Sequence, residues 1–345
     1  MRIVRPLLEY LTQTRAIAVL EGTLGTGGIV AYHAVTPAPL FPSIHISTEA
    51  FRKQLEFLAG SYSVVPLAEF VRRRTEGRSV RRCVAITFDD AYTGVLDLAL
   101  PVLERLALPA TVFVVSGHSA TGARYWWDRL EWVMRGAPPN IRDQALRAAT
   151  GAASTPDDLV LASVLKNAAG RVRPAMDAAL AEAEKGLDEV PLHPLREAGL
   201  ARLGESLLID FGCHTVSHPA MPLLTVGEQE WEISECARWL RERLPRVLPY
   251  LAYPYGLYSR TTLIALHNAG MTAGFSLTGR AATSRCNLAA CPRIGLAEGN
   301  SVTSLRARLN WAAIPLVALR NREWHPRVPS PNAGVEPPSP GPARA

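Results

Sequence analysis

Asp89 and Asp90 stand side by side at the end of VAITFDD, residues 84–90. Two adjacent carboxylates repel each other and lose solvation where an apolar run ends, and a bound cation offsets that penalty. Alone, the pair reads equally well as a helix cap beside a solvated acid. A second stretch, IDFGCHTVSHP at 209–219, presents His214 and His218 four residues apart. If one helical turn follows the apolar run, both imidazoles share a face and reach one metal ion. The spacing is that of the zinc-protease HExxH, but Thr215 and Val216 occupy the middle and no glutamate is present. The general base must then come from elsewhere; Asp89 supplies it, which leaves Asp90 as third ligand. Two histidines and one carboxylate with an open position form a hydrolytic zinc arrangement. In LPYLAYPYG, 248–256, proline and glycine flank Tyr255 and make a rigid loop whose backbone N–H suits an oxyanion donor, or simply end a strand.

These residues need strands to hold them. The stretches 28–33, 83–88, 109–115, 207–213, 247–253 and 271–277 are apolar and rich in β-branched or aromatic residues. Helical patterns separate them: Phe51, Leu55 and Leu58 at helical spacing after Thr48, a helix opened by Pro66, a segment to about 106 interrupted at Pro101, and helices near 227–243 and 259–269. Strands alternating with helices, each strand apolar on both faces, describe an α/β protein with a parallel sheet or barrel covered by helices. Ligands gather at the carboxyl ends of such strands, where all three stretches fall. Between 119 and 205 the alternation lapses into a helical insertion over one end of the sheet, carrying Tyr125-Trp126-Trp127. The tryptophans either pack the insertion onto the domain or offer a stacking surface.

The remaining features narrow the class. With 345 residues and 48% hydrophobic content the chain buries a large core. The +6 formal charge is carried almost wholly by arginine, lysine standing only at 53, 166 and 185. The densest basic run, 72–82, contains no nucleic-acid module and reads as a solvated helix end, so no nucleic-acid partner is expected. Five cysteines without CxxC spacing indicate neither a disulfide framework nor a cysteine zinc site, and a reducing compartment fits. No run has signal-peptide or membrane-span length, so the expected location is cytoplasmic. Amphipathic helices over 2–20 and 304–320 are expected to pack on the domain; peripheral contact with the inner membrane face is the alternative. The expected organisation is a helical segment at 1–26, a catalytic domain at 27–300, a helix at 301–324 and a disordered proline-rich tail at 325–345.

Taken together and in this order, TFDD, HTVSH and AYPYG resemble the polysaccharide deacetylases of carbohydrate esterase family 4, the NodB-homology domain, over roughly 27–300 apart from the insertion. STEAFRKQLEFLAG at 47–60 and ACPRIGL at 290–296 look like members that begin with a YH segment. The resemblance implies a distorted (β/α) barrel of about seven strands, with its site at the strand carboxyl ends and one divalent ion, expected to be Zn²⁺. It implies Asp89 as general base, Asp90, His214 and His218 as metal ligands, and the Tyr255 main chain as oxyanion donor. The family usually has an arginine where this chain has Tyr253; Arg293 is the expected substitute. The family's late histidine is also missing, and members with the YH segment supply the general acid from the first strand, here His33, which otherwise is a hydrogen-bonded core histidine. The implied reaction removes N-acetyl groups from an N-acetylated sugar or polysaccharide, with protonated His33 donating to the departing nitrogen. A sugar-binding scaffold without turnover and an amidase for a non-sugar substrate are the alternatives.

Overall fold

The apolar runs become parallel strands because each can bury both faces, one toward a barrel interior and one toward helices. The computed structural model describes residues 27–38, 44–150, 173–188, 191–279 and 286–310. In chain order it has β1 (Gly28–Tyr32), β2 (Val35–Thr36), β3 (Ile46–Ser47), α1 (Thr48–Ser61), β4 (Ser63–Val64), α2 (Leu67–Thr75) and β5 (Cys83–Phe88). A π-helical turn, Val95–Ala99, leads into α3 (Leu100–Arg105), followed by β6 (Ala110–Val114). Then come α4 (Ser116–Thr121), α5 (Trp126–Gly136), α6 (Pro139–Thr150), α7 (Arg173–Ala183) and α8 (Glu197–Leu203). The alternation resumes with β7 (Ile209–Cys213), α9 (Val226–Arg243), β8 (Val247–Ala252), α10 (Arg260–Asn268) and β9 (Ala273–Ser276). The short strands β10 (Cys291–Pro292) and β11 (Ile294–Gly295) precede α11 (Val302–Asn310).

The main sheet runs β10-β9-β8-β7-β6-β5-β1-β11, with β4 also on β5, and all its pairs are parallel. Its two ends belong to one segment. Cys291 and Pro292 pair with Phe275 and Ser276 on β9, and Ile294 and Gly295 pair with Val30 and Ala31 on β1. A single broken strand therefore bridges first and last positions, giving seven staves around a barrel. Arg293 is the residue at the break.

Side-chain alternation along the staves sorts the core. On β5, Val84, Ile86 and Phe88 face the helical layer with Phe51, Leu55, Leu103 and Ile233, while Cys83 and Ala85 join Ile29, Phe113, Ala252 and Phe275 in the barrel interior. The insertion has its own apolar cluster, in which Trp126, Trp127, Leu130 and Leu180 pack with Tyr92 and Val115 of the barrel. Gly94, just after the paired aspartates, permits a close approach: a Cβ there would lie 1.9 Å from the Val35 carbonyl oxygen.

The helical segment expected to be interrupted at Pro101 loses its regular α form just before that residue: Leu100 N–H donates to the Val95 carbonyl in the π-helical turn, and α3 carries Pro101 near its start. The basic run at 72–82 is solvated as expected, Arg72 and Arg73 pairing with Glu69 on α2. The helix expected over 2–20, the C-terminal helix beyond Asn310 and the proline-rich tail lie outside the described residues. Among the described residues, no helix is long and apolar enough to cross a membrane.

Candidate active site

Continuing the inward row of β5 past Ala85 gives Thr87 and then Asp89, so the strand's period delivers one carboxylate into the mouth of the barrel. The same parity carries β1 from Ile29 to His33, β7 to His214, and the closing segment from Cys291 to Arg293. Arg293 and Asp89 meet there, both fully buried, in a bidentate pair: Nη1 to Oδ1 and Nη2 to Oδ2, each 2.7 Å. Nη1 also donates to Thr87 Oγ1 at 3.1 Å, and the Thr87 hydroxyl donates to the Val30 carbonyl. The guanidinium lies over the Phe113 ring, 5.3 Å from its centroid, so the apolar plug of the barrel supports it from below. Burial pushes the Asp89 carboxyl up, but the Arg293 charge and hydrogen bonds, helped by His214 and His33, outweigh it and hold Asp89 at about 2.

Strand parity alone would send Asp90 outward with Phe88, but its φ of +67° breaks the alternation, and its carboxylate faces the histidines that follow β7. Its Oδ1 lies 3.5 Å from both His214 Nε2 and His218 Nε2, and all three side chains are buried. His214 Nδ1 donates to the Ala252 carbonyl at 2.8 Å, which leaves Nε2 with its lone pair toward Asp90. Burial lowers the His214 pKa against the pull of Asp89, the neutral form a metal requires. Burial, then the charges of Asp89 and Asp128, push Asp90 well up. Its Oδ1 is buried without a hydrogen bond. A carboxylate oxygen so placed, facing two imidazole nitrogens, fits a divalent cation.

The two histidines do not share a helical turn. Thr215 and His218 both have positive φ, 69° and 55°, in an irregular loop, and His218 N–H donates to Thr215 Oγ1 at 3.0 Å. The loop is clamped by Glu232 of α9, which accepts from Val216 N–H, Ser217 N–H and the Ser217 hydroxyl. Of the eight described non-glycine residues with positive φ, Asp90, Ala91, Thr215, His218 and Tyr255 all surround the site, so strain is concentrated where it aims ligands. Glu232→Ala should destabilise the fold by about 2–3 kcal/mol, because two N–H groups lose their acceptor. It should also weaken affinity for a divalent metal ion by about 10–100-fold through the displaced His218. Urea unfolding and zinc titration read the two effects.

His33 Nε2 stands 4.0 Å from Asp89 Oδ2. Burial lowers its pKa to about 4, with Asp89 only partly restoring it. His33 is therefore neutral near pH 7 before reaction, not protonated, and any proton it donates must reach it during turnover. A histidine depressed on folding contributes stability above its unfolded value, near 6.5, that is lost as pH falls through 4. His33→Gln should flatten the loss of stability over that window, as urea midpoints across pH will show.

Tyr255 sits at φ +59° in the turn Pro254–Gly256, its ring edge-on to His218 with centroids 4.5 Å apart. Gly256 follows at φ +70°, where a Cβ would meet Leu277 N at 2.5 Å. Tyr253 is on the outer row, packed in the helical layer and donating its hydroxyl to the Ala289 carbonyl. It leaves the inner position opposite Asp89 to Arg293. His33, Asp89, Asp90, His214, His218 and Tyr255 all line one cavity of about 360 Å³, within the roughly 300–1,000 Å³ usual for small-ligand sites.

Trp126 and Trp127 reach this cavity but are 5% and 7% exposed, so packing is their main use. Trp127 Nε1 donates to the Tyr92 hydroxyl at 3.0 Å, which donates to Asp128 at 2.7 Å; Asp128 lies 3.4 Å from His45. Tyr125 donates to the Asp90 carbonyl at 2.6 Å and stacks on Trp127, whose ring lies 4.7 Å from His218. The sequence reading missed this buried network, Thr87 and Glu232. Glu232 was detectable: it falls on the buried face of α9 with Gln229, Ile233, Cys236 and Leu240.

A buried aspartate and two histidines at the carboxyl ends of a parallel barrel, beside an aspartate held by arginine, define a metal-dependent hydrolase architecture. A family model described as polysaccharide deacetylase matches residues 76–150 and 181–274, and the chain belongs to that family. Poly-β-1,6-N-acetyl-D-glucosamine N-deacetylase of Staphylococcus aureus is 22% identical over 254 residues, 73% of this chain and 68% of that protein. The protein of the same name from Staphylococcus epidermidis is 32% identical over 74 residues, 21% of this chain and 26% of that protein. Among solved structures, the Streptococcus pyogenes deacetylase PplD in complex with acetate superposes with a TM-score of 0.57 at 17% identity, covering 82% of this chain and 98% of that one. IcaB from Ammonifex degensii gives 0.54 at 19% identity, covering 83% and 97%. These likenesses carry the barrel fold.

Proposed function

We propose that the chain is a metal-dependent hydrolase that removes N-acetyl groups from an N-acetylated sugar polymer and releases acetate, with a glucosamine-based polysaccharide as substrate. The observation that carries this reading is the convergence of Asp90, His214 and His218 on one point beside the Asp89–Arg293 pair in a single cavity. The names of the staphylococcal relatives support the choice of polymer. Two imidazoles and one carboxylate favour zinc. Held by these three residues, the ion would polarise the amide carbonyl and acidify a water molecule.

The protein's own groups do the rest. Asp89, kept ionised and in one orientation by Arg293, accepts a proton from the attacking water. Its pKa of about 2 makes it a weak base, sufficient only for an acidified water. The Tyr255 main-chain N–H is assigned to the developing oxyanion. His33, neutral at rest and 4.0 Å from Asp89, relays the captured proton to the sugar nitrogen, which leaves as an amine only when protonated. His33→Gln should lower kcat about 100-fold with little change in KM, read as acetate release. A scaffold without turnover would have no need of the Arg293–Asp89 pair, which holds the carboxylate ionised and oriented, so the pair argues against that alternative.

The direct test is acetate release from β-1,6-linked N-acetylglucosamine oligomers by the zinc-loaded protein. Turnover by wild type and none by Asp89→Asn supports the reading. Bound zinc with no release from these or β-1,4-linked oligomers refutes it.

A further inference from the structure

Away from the cleft, the sulfurs of Cys286 and Cys291 lie 3.2 Å apart. The turn Leu288–Ala290 reverses the chain between them; Asn287 accepts from Ala289 N–H and Ala290 N–H donates to the Asn287 carbonyl, both at 3.0 Å. No CxxC motif marks this pair, because the spacing CxxxxC brings two thiols together only when a tight turn intervenes. We infer that Cys286 and Cys291 form a redox-active dithiol, with Cys286 the attacking and Cys291 the resolving thiol, and that oxidation closes a disulfide across the turn entering the barrel's closing segment.

The two thiols are unequal. Cys286 is half-buried and reachable from solvent, whereas Cys291 is fully buried on β10, in register with Phe275. Arg74 of α2 donates to the Cys286 carbonyl at 2.8 Å, which brings a guanidinium beside that thiol. The hydrogen bond from Cys291, and then the Arg74 charge, offset burial and lower Cys286 to about 6, while Cys291 is pushed up by the same bond and by burial. Cys83, Cys213 and Cys236 are all buried, which leaves Cys286 as the accessible entry point.

Glutathione disulfide is a sufficient oxidant. The Cys286 thiolate attacks one of its sulfurs, forming a mixed disulfide and expelling glutathione thiolate. Cys291, giving up its proton to that thiolate, attacks the Cys286 sulfur, forms the intramolecular bond and releases the second glutathione; the dithiol loses two electrons and two protons in all. Arg293 lies two residues beyond Cys291, so the new bond staples the segment that closes the barrel and carries the partner of Asp89.

The test incubates the full chain in reduced or oxidised glutathione, blocks remaining thiols by alkylation and maps the peptides. Oxidised protein is expected to lose alkylation at Cys286 and Cys291 only, to carry a disulfide between them that dithiothreitol reverses, and to melt a few degrees higher than the reduced form. Cys291→Ser should stop at a stable Cys286–glutathione adduct, and Cys286→Ser should leave Cys291 unmodified. A bond mapped to Cys213 and Cys236, a wild-type protein that stops at the mixed disulfide, or full alkylation in the oxidised buffer would each overturn the inference.

Discussion

Arg293→Met is expected to destabilise the protein by about 3–5 kcal/mol at neutral pH, more than any other single change at the site, because it strands the buried Asp89 carboxylate without its bidentate partner. The pH dependence gives the sharper signature. In the wild type Asp89 is depressed from 3.8 to about 2, so its contribution is present above 3.8 and is lost as pH falls through 2. Without Arg293 burial dominates and the carboxyl rises above its ordinary value. The sign then reverses: the variant should gain stability relative to wild type as the medium is acidified, and the acid limb of its kcat/KM profile should move upward. Urea midpoints measured from pH 7 down to 3, with pH–rate profiles of acetate release, check both halves. Arg293→Lys should recover only part of the loss, since an ammonium cannot reproduce the two parallel bonds.

Asp89→Asn is expected to reduce kcat by about 100- to 10,000-fold while leaving zinc affinity within a few-fold of wild type. The amide retains the size of the carboxylate and can still accept from Arg293, but it cannot take a proton from water. Asp90→Asn separates the roles. It removes the anionic ligand and should lose affinity for zinc together with activity, whereas the neighbouring change loses activity alone. Calorimetric zinc titration beside steady-state acetate release distinguishes the two aspartates, and equal loss of metal by both variants would show that the roles were misassigned.

What the sequence disclosed and what it withheld divide along physical lines. The alternation through Val84, Ala85, Ile86, Thr87 and Phe88 already says that Asp89 shares the face of Ala85, because side-chain direction in a strand has period two. The same parity places His33 and His214 inward; strand and helix alternation implies a parallel sheet or barrel, and the count of about seven strands comes from the family resemblance. Backbone at Asp90, Thr215 and His218 was not legible. These residues adopt positive φ without being glycine, a choice imposed by surrounding contacts such as the Glu232 clamp, and no local pattern encodes it. For that reason the expected helical turn through HTVSH is an irregular loop. The pairing of Arg293 with Asp89 spans the whole domain and depends on closure of the barrel by one broken strand, so only the motif comparison could point to it. The Tyr92–Asp128–Trp127 network escaped notice because its members read locally as ordinary packing residues of an insertion.

The most direct measurement is calorimetric titration of metal-free protein with zinc. The proposed site is expected to bind one ion per chain with release of protons, because burial and the neighbouring carboxylates push the Asp90 pKa up and ligation requires the ionised form. His214→Ala should abolish that binding and Asp89→Asn should preserve it. Zinc binding that survives His214→Ala undiminished would contradict the assignment of Asp90, His214 and His218 as its ligands.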